Sequence, residues 1–79
     1  MPFAVVTGAN RGIGLELVVQ LVAKGCRVLA VCRVASDELV ASGADVVDAV
    51  DVTDPQGLAR LAEAIDAPID LLINNAGLL

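Results

Sequence analysis

Thr7-Gly8-Ala9-Asn10-Arg11-Gly12-Ile13-Gly14 sets three glycines at the spacing Gly-x3-Gly-x-Gly, directly after the apolar run Phe3-Ala4-Val5-Val6. A turn so poor in side chains lets a phosphate approach the backbone and rest on open N–H groups at the positive end of the helix that follows. Glycine-rich turns also form for structural reasons alone. Two later segments, Asp51-Val52-Thr53-Asp54 and Asn74-Asn75-Ala76-Gly77, add an acidic and an amide-bearing group at further strand ends. Together the three segments point to a dinucleotide, or to descent from a chain that bound one.

The elements that must hold these segments alternate strand and helix. Phe3 to Val6 is apolar without alternation, as a parallel strand covered on both faces requires. Ile13 to Lys24 predicts a helix whose polar positions Glu16, Gln20 and Lys24 form one stripe, with the rest largely buried and Gly25 as its C-cap. Arg27 to Cys32 reads as a second strand. A short helix follows from Ser36, with Asp37 and Glu38 in its first turn, stopping before Gly43. Val46 to Val50 reads as a third strand, its Asp48 marking an edge with one wet face. Asp54 caps a helix with Pro55 at its first position, and Leu58, Leu61, Ala62 and Ile65 supply the apolar stripe. Ile69 to Ile73 is the fourth strand. Right-handed crossovers then give half of a doubly wound α/β fold over residues 1–79, a parallel four-stranded sheet of order 3-2-1-4. Ligands bind at the carboxyl ends of strands 1 and 4, where the winding reverses.

Composition narrows the function. The 79 residues are 57% apolar, enough for one small core, but a domain of this size is marginal in stability. There is no Trp, Tyr or His, and Phe3 is the single aromatic, which removes the commonest general base and the stacking platforms of single-strand binders. A net charge of −5 argues against nucleic-acid or membrane-surface partners. Cys26 and Cys32, as ends of one strand, would lie roughly 20 Å apart, far beyond the reach of a disulfide. Two free thiols suit a reducing cytoplasm. No signal peptide is expected, because the first strand starts almost at Met1. Charged residues and glycines interrupt every apolar run before bilayer length.

The three motifs, in this order and spacing, closely resemble the classical short-chain dehydrogenase/reductase family over the whole chain. The similarity is greatest to the carbonyl-reductase or C-factor-like branch, where an Arg or Lys often precedes the second motif glycine. The resemblance implies a Rossmann fold in which Gly8, Gly12, Ile13 and Gly14 surround the pyrophosphate and adenosine ribose, with Asn10 in the same loop. It also implies that Asp51 accepts from the adenine amino group beside the Val52 backbone, and that Asn75, Ala76 and Gly77 line the ribose and the sheet floor. Asn74 would bridge strands through its amide. The family's reaction further uses a Ser and a Tyr-x-x-x-Lys pair. This chain contains no Tyr, and its one lysine, Lys24, lies on the solvent stripe, so no residue is assigned to catalysis or to a metal.

Charge adds a preference. A bare ribose is usually held by an acidic residue at the end of the second strand. That position carries neutral Cys32, followed by Arg33, and Arg11 projects from the glycine loop toward the same region. Two guanidinium groups suit a 2′-phosphate, so NADP is expected over NAD, against the alternative that both are solvated loop arginines. Asp48, Asp66 and Asp70 read as solvated, Glu16 as a helix-start carboxylate, Asp54 as an N-cap, and both cysteines as core residues. Three readings remain open: a catalytically incomplete NADP-binding half-domain, a self-associating module without useful cofactor affinity, and a remnant of an active oxidoreductase. Ile69 to Ile73 would form an apolar sheet edge with Asp70 its only charged guard. That predicts a homodimer, two fourth strands meeting antiparallel in an eight-stranded sheet, with aggregation as the other fate of the edge.

Overall fold

Phe3 to Val6 and Val28 to Val31 are apolar at every position and buried, so the sheet they build must be covered on both faces. The computed structural model describes residues 1–51 and 53–75. Its elements are β1 (Phe3–Thr7), α1 (Gly12–Ala23), β2 (Arg27–Val31), α2 (Asp37–Val40), β3 (Asp45–Val47), α3 (Pro55–Ala64) and β4 (Leu71–Asn74). All pairings are parallel, in the order β3-β2-β1-β4. Val5 at the centre of β1 is flanked by Leu29 and Leu72. This is the expected half of a doubly wound Rossmann sheet.

Alternation along the strands divides the core into two layers. Ala4 and Val6 of β1, with Val28 and Ala30 of β2, pack under Val18 of α1 and Leu39 of α2. Phe3, Val5, Leu29 and Val31 face the opposite way, against Val50 and the Leu61, Ala64 and Ile65 side chains at the α3 end. Ser36 caps α2 and Asp54 caps α3, with Pro55 in its first turn. Gly25, at φ +86°, follows the C-cap Lys24 of α1.

Several expectations need correction. Only Gly14 and Val18 of α1 are fully buried, while Ile13 and Val19 are exposed. The helix lies on β1 and β2 with α2 beside it, and among the described residues nothing covers its outer flank. In α3 the stripe is rotated: Leu58 and Ala62 face solvent, and Gly57, Leu61, Ala64 and Ile65 turn inward. β3 ends at Val47 rather than Val50, because Ala49 takes a left-handed φ of 56° that no strand continues through.

Asp66 and Asp70 are not merely solvated. Arg27 Nη1 donates to Asp66 Oδ1 at 2.7 Å, its Nε lies 3.6 Å from Asp45 Oδ2, and its guanidinium stands 4.4 Å above the Phe3 ring. Asp70 accepts the Phe3 amide through Oδ2 at 2.8 Å and returns its own N–H to the Phe3 carbonyl at 2.9 Å. Both carboxylates fasten the α3–β4 connection to the amino edge of the sheet, a long-range placement that local sequence does not encode.

The Arg27 hydrogen bond, reinforced by its charge, holds the Asp66 carboxyl below its ordinary pKa. A depressed carboxylate stabilises the fold above the unfolded-state pKa, and that contribution is lost as pH falls through the folded one. Asp66→Asn should therefore lower Tm at neutral pH, by a margin that narrows as pH drops below the ordinary 3.8. Salt should shrink the same margin, since the pair is exposed. Thermal unfolding across pH 2 to 7 checks this, and a gap that does not change with pH would show that the loss does not come from the ionised pair.

Candidate dinucleotide site

The site forms where β1 and β4 end side by side, with Thr7 in register with Asn74. Thr7 is buried at 5% exposure, and its hydroxyl works in two directions. Oγ1 donates to Asn74 Oδ1 at 2.9 Å and accepts from the Asn75 backbone N–H at 3.0 Å. Asn74 thus bridges the strands through its amide, as expected. The Asn75 side chain crosses the seam the other way, Nδ2 donating to the Gly8 carbonyl at 3.1 Å. The sequence motif by itself gives Thr7 no role. The one signal for it is a hydroxyl closing an apolar strand just before the glycine run.

Gly8 and Gly12, at φ +63° and +60°, fold the β1–α1 loop through conformations other residues resist. Ala9, fully buried, ties the loop to the neighbouring strand through its N–H to the Val31 carbonyl at 3.1 Å. The loop then brings α1 so close that a Cβ on Gly14 would stand 2.2 Å from the Gly8 oxygen and 2.8 Å from Asn75 Nδ2. Gly14 therefore admits no side chain. Above Gly12, by contrast, an added Cβ would meet nothing within 4 Å, so the space over the loop is open to a ligand.

The start of α1 differs from the other two helices. Arg11, in extended conformation, occupies the N-cap, and no side chain accepts from the first turn. Its first N–H groups and the positive end of the helix dipole suit an anion supplied from outside. Asn10 is half-buried, while Arg11 and Ile13 are exposed at this mouth. Among the described residues neither Arg11 nor Arg33 enters a salt bridge.

Beyond β2, Cys32 is 3% exposed. Burial first, and the Asp48 charge second, push its thiol pKa up, so the group stays neutral. Arg33 follows it, exposed. Past β3, Asp51 Oδ1 accepts from the Thr53 hydroxyl at 2.7 Å and the Thr53 N–H at 2.9 Å. Those two bonds, with the charge of Arg33, hold its carboxyl below the usual range. Arg33 and Asp51 therefore share one electrostatic neighbourhood. Gly8, Asn10, Arg11, Gly12, Ile13 and Gly14 sit in the β1–α1 loop and first turn, Arg33 and Asp51 beyond β2 and β3, and Asn75 after β4, all toward the carboxyl edge of the sheet. Val52, Ala76 and Gly77 lie outside the described residues.

Comparison with known proteins agrees with this fold. A family model described as short chain dehydrogenase matches residues 2–79. Short-chain dehydrogenase/reductase 1 of Saponaria officinalis is 42% identical over 89 residues, covering 96% of this chain and 30% of that protein. A solved short chain dehydrogenase/reductase family protein superposes with a TM-score of 0.83 at 36% identity, over 96% of this chain and 34% of its own. An actinorhodin polyketide ketoreductase solved with NADPH gives 0.74 at 33% identity, over 96% and 33%. The chain spans about a third of the length of these relatives.

Gly14→Ala tests the close approach. Forcing a methyl against the Gly8 carbonyl should cost about 1–3 kcal/mol of stability, read by urea unfolding, and should break the Asn75 to Gly8 bond. A variant as stable as the parent would mean that loop and helix are not held at this distance.

Proposed function

The chain belongs to the short-chain dehydrogenase/reductase family, and we propose that it forms the pyrophosphate and adenosine side of an NADP(H) site. The observation that carries this reading is the uncapped start of α1 beneath the open space over Gly12, with a loop fixed by Thr7, Asn75 and Gly14. The residues present fit such a group. The first-turn amides and Gly8, Asn10, Gly12, Ile13 and Gly14 would receive the pyrophosphate, while Asp51, beside Val52, would accept from the adenine amino group. Asn75, Ala76 and Gly77 would line the ribose. The neutral Cys32 removes the carboxylate that would repel a 2′-phosphate, leaving Arg33 and Arg11 to bind it. The ketoreductase relative solved with NADPH supports the same cofactor.

When bound, the nicotinamide supplies hydride transfer; the residues of this chain bind and orient the adenosine half. These 79 residues hold no Tyr or His to move a proton at a carbonyl oxygen. We read the chain as a half-domain without catalytic residues of its own, whether it works alone or as part of a longer oxidoreductase. The free state of Cys26 and Cys32 supports a reducing, cytoplasmic setting. No described helix is long and apolar enough to cross a membrane.

A second reading, self-association, rests on the β4 edge. Ile69, Leu71 and Leu72 are exposed, and the Asp70 side chain turns to the Phe3 amide instead of guarding the edge. Two copies joined β4 to β4 about a twofold axis would satisfy both edges and bury apolar area that a domain of this size lacks.

NADP should bind with Kd on the order of 10⁻⁴ M, more tightly than NAD, with a gap that salt narrows. Arg33→Asp should reverse the preference, and 2′-phospho-ADP-ribose should bind about as well as NADP. Calorimetric titration reads all three, and equal affinity for NADP and NAD at low salt refutes the phosphate assignment. In sedimentation the parent should run as a dimer and Leu72→Lys as a monomer; a folded parent monomer at high concentration sinks the dimer.

A further inference from the structure

We propose that Arg60, with Gly57 one turn before it on α3, is a positioning residue for the nucleotide site, a role that rests on the adenosine reading above. Among the described residues Ala49 is the only non-glycine at positive φ, a conformation an alanine keeps only when its surroundings enforce it. Both of its backbone polar groups are held, from opposite sides. The Ala49 N–H donates to the Arg33 carbonyl at 2.8 Å, and the next amide, Val50, donates to the Cys32 carbonyl at 3.1 Å. From the other side Arg60 Nη1 donates to the Ala49 carbonyl at 3.3 Å and Nη2 to the Asp48 carbonyl at 3.1 Å. A planar guanidinium can span two successive carbonyls, which a lysine ammonium does with less fixed geometry.

The same helix seats Asp51. Gly57 is buried, and a Cβ there would stand 2.8 Å from the Asp51 carbonyl oxygen and 3.1 Å from its nitrogen. Asp54 N–H donates to that carbonyl at 2.9 Å. Residues 48–51 therefore lie on one face of α3, clamped at Asp48 and Ala49 by Arg60 and pressed at Asp51 onto the first turn. Because Ala49 is also bonded to Arg33, α3 sets the relative positions of the two charged groups, Arg33 and Asp51, between which the adenosine would lie. Arg60 acts through the backbone and touches no ligand.

The clamp is read first without ligand. In Arg60→Ala, amide hydrogen exchange at Ala49 should quicken at least about tenfold while Val5 and Val28 stay protected, and Arg60→Lys should recover part of the protection. The second reading uses adenosine 2′,5′-bisphosphate and its inosine counterpart, which lacks the amino group that Asp51 would accept. Arg60→Ala should weaken the adenosine compound by about tenfold and leave the inosine compound unchanged. Equal losses on both compounds, or none, would overturn the positioning role, as would unchanged exchange at Ala49. If the parent binds neither compound, the cofactor reading fails and takes the role of Arg60 with it, while the exchange data still decide whether the clamp exists. Should Arg60→Ala not fold, Arg60→Lys reads the same quantities with smaller expected changes.

Discussion

The close approach of two backbones at the Gly8 carbonyl is the constraint on which the carboxyl edge of this protein depends. One oxygen has the Asn75 amide at 3.1 Å and the bare α-carbon of Gly14 on another side. That arrangement requires β4 to end level with β1, which the Thr7 hydroxyl secures by bonding both Asn74 and Asn75. It also requires the first turn of α1 to descend onto the loop, which only a glycine at position 14 permits. A helix start brought to the end of a buried strand, with its first turn left uncapped, concentrates partial positive charge in a chain whose net charge is −5.

The two ends of the sheet solve opposite problems. At the amino edge, charges are matched within the fold: Arg27 meets Asp66 and Asp45 over the Phe3 ring, and Asp70 holds the first amide of β1. At the carboxyl edge, Arg11 and Arg33 stay out of salt bridges among the described residues, and the neighbouring thiol of Cys32 is kept neutral by burial. Charge neutralised internally stabilises the connection between α3 and β4. Charge left open is what a ligand can use, and the segment carrying Asp51 is held to α3 by the Arg60 side chain and by the close approach of Gly57.

Sequence alone determined the element order, the parallel sheet and the strand order. Runs such as Phe3 to Val6 and Val28 to Cys32 are apolar at every position, which dictates burial on both faces. The glycine spacing, the Asp54-Pro55 start and Ser36 are local signals whose meaning lies within a few residues. Gly14 was legible as a motif residue, though the 2.2 Å reason for it was not. The tertiary structure alone decided which carboxylates are used, which face of α3 turns inward, and where β3 stops. Asp66 and Asp70 resemble turn residues until Arg27 and Phe3, distant in the chain, are brought beside them. Leu58 fits a helical apolar stripe, yet contact with Asp51 through Gly57 sets the rotation of α3 and leaves Leu58 in solvent. Ala49 carries no local signal for a left-handed turn; its φ is imposed by Arg33 on one side and Arg60 on the other. Periodicity and turn chemistry act over one or two turns of chain and can be read from it. Side-chain pairing across the sheet depends on which distant residues the fold makes neighbours, and only the folded structure contains that information.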